Sequence, residues 1–249
     1  RSPRQHAAMI RKRQDTVMNS SRFQIPAVIH CEALSGPVFP NALTYPASIS
    51  LGASFDPELV REMGEKIRRQ MVAVGVRQAL SPVLDISRDL RWGRINETYG
   101  NDPTLVSEMA CAFITGLQGT DYTNGVAATA KHFLGYSLTE GGLNMAKTML
   151  GERETREVYA KPFEAAIRNA GLLSVMNSYA EMEGKPICAS KEILDDLLRG
   201  ELGFEGVVVS DYMSVDRLVN NFHVAENLQD AAIQCLTAGR IRIVQLHLR

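Results

Sequence analysis

The chain has 249 residues, 45% hydrophobic and 22% charged, a composition that can bury a large core and excludes a disordered or fibrous chain. Twenty-seven basic residues against 28 acidic give a formal charge of −1 without a long basic run, so nucleic acid is not an expected partner. No apolar run approaches the roughly 18 residues of a membrane span, so no membrane insertion is expected. The cysteines Cys31, Cys111, Cys188 and Cys235 lie too far apart for a zinc site or a disulfide framework, and free thiols are expected. The chain opens on Arg1 in "RSPRQHAAMIRKRQD", which fits a removed targeting segment or a fragment and leaves localisation unread.

Strand-like apolar runs alternate with amphipathic stretches along the chain. "IPAVIH" (25–30) is the first strand candidate. It is followed by a helix over 56–75, where Asp56 can cap, Pro57 suits the first turn and Gly75 stops the run. "VRQALSP" (76–82) is the second strand, and a helix over 102–119 repeats the Asp-Pro opening and the Gly ending. "VAATAKHF" (126–133), a helix over 152–171 interrupted by Pro162, "LLSVMNSY" (172–179) and "GVVVSDY" (206–212) complete the series. This rhythm predicts an α/β fold with a mostly parallel sheet, and about 250 residues suit one (β/α)8 TIM-barrel-like domain, complete or cut short at its C-terminus. A doubly wound sheet would alternate in the same way, but neither GxGxxG nor GxxxxGK[ST] is present.

Polar residues at the strand ends carry the functional expectation. Asp211 ends a valine run and fits either a helix cap or a carboxylate at a barrel mouth. Lys131 and His132 follow a buried run, and their diverging side chains would suit a polyol better than a metal. Trp92, the single tryptophan, sits in a charged segment (85–103), where Arg94 could clamp adjacent hydroxyls while Asp89 and Arg91 hold the loop.

"SPVLDISRDLRWGRINETYGNDP", "AKHFLGY", "EGGLN", "GERETREVYAKPFEAAI", "SVMNSYAEMEGKP" and "LRGELGFEGVVVSDY" follow one another in this order. Together they closely resemble the N-terminal barrel domain of glycoside hydrolase family three, the family of retaining β-glucosidases and β-xylosidases. The resemblance implies hydrolysis of terminal β-D-glycosidic bonds in small glycosides or oligosaccharides, without a metal or other cofactor. It makes Asp211 the catalytic nucleophile and places Glu32, Arg94, Lys131, His132 and Tyr179 at sugar-binding or supporting positions, with Met176 as a pocket-lining candidate. Residues 1–239 correspond to the family domain, and 240–249 read as an atypical tail.

In most members of the family the general acid/base lies in a following α/β sandwich domain, and this sequence reads as stopping before one, so impaired turnover of the isolated chain is expected. Glu97 and Glu140 are the local carboxylates that could substitute. Leu143 and Ser35 stand where relatives often carry Arg and His, and Glu32 stands where glucosidases often carry the shorter Asp, a lean toward pentoses. Open C-terminal edges would favour a homo-oligomer. The alternatives are a non-catalytic sugar-binding remnant of the same barrel and a Schiff-base aldolase using Lys131, which borohydride trapping would identify.

Overall fold

The computed structural model describes residues 2–239; the predicted tail at 240–249 lies outside them. Helix α1 (Pro3–Ser20) opens with a reciprocal capping box, the Ser2 hydroxyl accepting from the Gln5 amide and the Gln5 side chain from the Ser2 amide. Then follow β1 (His30–Cys31), α2 (Ser48–Gly52), α3 (Pro57–Val74), β2 (Gln78–Ala79) and α4 (Pro103–Gln118). Next come β3 (Ala127–Phe133), α5 (Glu152–Glu154), a π-helical turn (Thr155–Tyr159), α6 (Lys161–Ala170) and β4 (Ser174–Asn177). The hairpin strands β5 (Glu181–Met182) and β6 (Lys185–Pro186), a π-helical stretch (Glu192–Glu201), β7 (Val207–Val209), α7 (Ser214–Asn220) and α8 (Leu228–Gly239) complete the described chain.

Strands β1, β2, β3, β4 and β7 pair in parallel in that order. A doubly wound sheet reverses direction at a switch point; this one adds each strand on the same side, which is barrel winding. The fold is α/β and TIM-barrel-like. Among the described residues β1 and β7 are the edges of the five-stranded sheet, and His30 Nε2 lies 3.3 Å from the Tyr212 hydroxyl across the open side.

Side chains two apart along a strand share a face, which stacks the interior in layers. Gln78 donates to Thr129 Oγ1 at 3.0 Å and Ser174 Oγ at 3.2 Å, a polar belt across β2, β3 and β4. Two residues further on, Leu80, Met176 and Val209 form a small apolar layer. The main core lies between sheet and helices. Asp56 and Asp102 cap α3 and α4 through the Leu59, Thr104 and Leu105 amides, and Gly75 ends α3 with φ 89°. The two helices cross with their backbones almost touching: a Cβ on Gly116 would lie 2.1 Å from the Arg61 carbonyl oxygen, and one on Gly64 2.8 Å from that of Phe113.

Two expectations need correction. The strand predicted over 25–30 is displaced to His30–Cys31, because the Gln14 side chain on α1 takes both the amide (2.9 Å) and the carbonyl (2.6 Å) of Ala27, groups a neighbouring strand would otherwise use. The helix predicted over 152–171 is not continuous α-helix; the Ala160 amide reaches back five residues to Thr155 at 2.8 Å, just ahead of Pro162, which has no amide hydrogen to offer.

Candidate active site

All five strands bring polar groups to their C-terminal ends, where a barrel-type sheet builds its sites. Glu32 follows β1, Asp85 follows β2, Lys131 and His132 lie near the end of β3, Tyr179 follows β4 and Asp211 follows β7. The buried Lys131 ammonium donates to both oxygens of Glu32, at 3.0 and 2.8 Å. Arg94 donates through Nε and Nη2 to Glu97, both at 2.7 Å, so its fork, expected to face sugar hydroxyls, is engaged by a carboxylate. Burial works against the charge of Arg94, and the Glu97 carboxylate outweighs it, leaving the guanidinium more basic than usual. These two ion pairs line one side of a cavity of about 750 Å³ whose other walls include Leu34, Ser35, Val38 and Phe39.

His132, Tyr179 and Asp211 do not line that cavity; they form a buried group beside it. Asp211 is not a helix cap, since α7 follows Met213 at φ 60° without any side-chain cap. Its backbone amide donates to Asn177 Oδ1 at 3.3 Å, and its Oδ1 accepts from the Tyr212 amide at 2.7 Å. Its Oδ2 is buried without a hydrogen-bond partner among the described residues and lies 3.8 Å from His132 Nε2. The other face of that imidazole is anchored: Nδ1 is 2.8 Å from Asp85 Oδ2, which also accepts from the His132 backbone amide at 3.1 Å. Burial, together with the nearby Arg94 and Lys131 cations, holds the imidazole pKa well below its ordinary value, so the ring is neutral.

An aromatic group surrounds these residues. Tyr136 meets His132, Trp92 and Tyr179 edge-on, with centroids 4.8, 5.2 and 5.8 Å apart. The Tyr179 hydroxyl donates to the Tyr212 carbonyl at 2.7 Å, and burial with the Asp211 charge raises its pKa. Arg217 lies over the Tyr179 ring at 4.6 Å and touches the Met145 sulfur. Met176 is buried in its apolar layer with Leu80 and Val209, one strand repeat below Asp211. Asp89 and Arg91 pair within their loop at 2.8 Å. Glu140 pairs with Lys147 at 3.6 Å on the surface, where Leu143 is also exposed.

The residues missed from sequence are Asp85, Tyr136 and Asn177. Asp85 carried the same signal as Asp211, an acid closing an apolar run at a strand end.

The model of the glycosyl hydrolase family 3 N-terminal domain matches residues 2–244. A β-xylosidase of Formosa agariphila is 42% identical over 236 residues, covering 91% of this chain and 32% of that protein. A lysosomal β-glucosidase of Dictyostelium discoideum is 34% identical, covering 93% of this chain and 29% of that protein. The structure of a β-glucosidase from Erythrobacter marinus superposes with a TM-score of 0.94 at 37% identity, covering 98% of this chain and 33% of that one. A β-glucosidase mutant from Listeria innocua in complex with laminaribiose gives a TM-score of 0.89 at 32% identity, covering 96% and 33%. The chain spans about a third of the length of these relatives. With a family model matched over nearly its whole length and a sheet wound to match, the chain belongs to glycosyl hydrolase family 3.

Proposed function

We propose that this chain carries the nucleophile-bearing site of a retaining β-glycosidase acting on terminal β-D-glucosyl or β-D-xylosyl groups. The observation that carries the proposal is the asymmetric carboxylate of Asp211, with Oδ1 fixed by the Tyr212 amide and Oδ2 buried and unpartnered among the described residues. One oxygen is oriented and the other is free to attack. Attack by Oδ2 on the anomeric carbon expels the aglycone oxygen and leaves a glycosyl ester, which water then cleaves. Glu32, Lys131, Arg94 and His132 surround the position of the sugar hydroxyls, and the extra methylene of Glu32 favours a sugar lacking a hydroxymethyl group. Solved structures of relatives, a Listeria innocua β-glucosidase with glucose and a mutant of it with laminaribiose among them, support the substrate class.

Dinitrophenyl β-glycosides isolate the nucleophile, because dinitrophenolate departs without the proton that an acid supplies, a contribution on the order of 10²–10⁴ in rate. The chain should release dinitrophenol in a burst, with azide accelerating subsequent turnover and yielding the β-glycosyl azide. Asp211→Asn should abolish the burst while the fold persists. Equal release from both proteins would refute Asp211 as nucleophile. Binding of xylose or glucose with no reaction in either would instead support the sugar-binding remnant.

A further inference from the structure

Asp85, His132 and Asp211 form a line of buried groups from β2 through β3 to β7. The histidine in the middle is neutral and has one ring hydrogen, so its tautomer decides what Nε2 offers to the site. Asp85 Oδ2 accepts from the His132 backbone amide at 3.1 Å and lies 2.8 Å from Nδ1. An oxygen already accepting from an amide hydrogen at that distance is placed to accept a second hydrogen from Nδ1 rather than to donate one. The surroundings favour an ionised Asp85: the backbone of Ser137 also hydrogen-bonds it, and Arg94 and Lys131 face it. Burial opposes them and pushes its pKa up to about 7, so the carboxylate form prevails on the alkaline side of neutrality. At the other end, Nε2 and Asp211 Oδ2 stand 3.8 Å apart, beyond hydrogen-bonding distance, as two facing acceptors would.

We propose that Asp85 is a positioning residue that, as the ionised acceptor of the His132 Nδ1 hydrogen, presents the Nε2 lone pair to a sugar hydroxyl beside Asp211. The arrangement keeps His132 from donating to Asp211. Both carboxylate oxygens of Asp211 then avoid a histidine hydrogen bond that would hold back the electron pair needed for attack. The same lone pair accepts a hydroxyl hydrogen from the bound glycoside, so recognition and nucleophile release depend on one ring orientation. The edge contact with Tyr136 at 4.8 Å holds that orientation from the side. The hydroxyl partner rests on the proposed glycosidase function; the tautomer does not.

Nitrogen-15 NMR of the histidine-labelled chain at mildly alkaline pH reads the tautomer without any reaction, and a His132→Gln spectrum assigns the signal. The expected result is a pyridine-like Nε2 and a pyrrole-like Nδ1 in the parent, with Asp85→Ala moving Nε2 toward the pyrrole-like shift. A pyrrole-like Nε2 in the parent, or no change on Asp85→Ala, would overturn the proposal. In the dinitrophenyl glycoside assay Asp85→Ala should slow the burst on the order of ten-fold, the scale of one charge-assisted hydrogen bond. Added to His132→Ala it should cause no further loss, and an additive loss would also overturn the proposal. A parent without any burst would fail the glycosidase function alone, because the NMR outcome stands separately.

Discussion

At the scale of single residues, Asp85 has consequences beyond the site. Its carboxyl has an ordinary value of 3.8 and is raised to about 7 chiefly by burial. A group whose pKa is higher in the folded state gives stability that is full below the ordinary value and is lost as pH rises through the folded one. His132 works in the opposite sense, since its lowered pKa gives stability that is present above its ordinary value and lost on acidification. Comparing the parent with Asp85→Asn largely cancels the histidine, which both proteins contain. From about pH 4 to about pH 8 the parent should lose stability relative to Asp85→Asn, measured as urea midpoints; a pH-independent difference would contradict the raised carboxyl. Sequence alone made Asp211, Glu32 and the Lys131–His132 pair visible, because each is a polar group ending an apolar run. It could not pair Asp85 with His132, 47 positions away, because side-chain partners across strands depend on register.

At the scale of elements, a cap together with an apolar face made a helix legible, and a cap without an apolar face did not. Asp56, Pro57 and Gly75 bracket α3 in the sequence as in the structure. Helix α1 buries only Ile10 among its residues, so it has no hydrophobic stripe to betray it, although its Ser-Pro-x-Gln capping box was there to be seen. The contact of α3 with α4 was equally hidden, since Gly64 and Gly116 look like weak points of isolated helices. In the fold they are where the two backbones meet. Gly116→Ala would place a methyl group against the rigid Arg61 carbonyl. It should cost about 3 kcal/mol, visible as a lowered urea midpoint, although alanine is the better helix former. A neutral or stabilising result would mean that the helices separate easily.

At the scale of the whole molecule, the five strands share a winding but keep two edges among the described residues. The valine run that Asp211 ends is buried at Val208 and Val209 but leaves Val207 46% exposed, on edge strand β7. An unpaired edge of this composition templates pairing with another chain. Concentration-dependent self-association is therefore expected in sedimentation velocity, and a strictly monomeric boundary at high concentration would contradict it. The barrel class was legible because the strand–helix rhythm and the polar strand ends are written in sequence; strand order and edge exposure were not, because pairing is a property of the assembled sheet.

The contact of His30 with Tyr212 across the open side gives the two edges a second role. Glu32 directly follows the first strand of the sheet and Asp211 lies just past the last, so a sugar held by both would act as a tie-rod between the two edges. Ligand occupancy would then register as mechanical closure. Glucose or xylose should slow hydrogen exchange at both β1 and β7, and not only around the cavity, with protection rising as the ratio of ligand concentration to dissociation constant. Protection confined to one edge would mean that the sugar spans less of the sheet than the geometry offers.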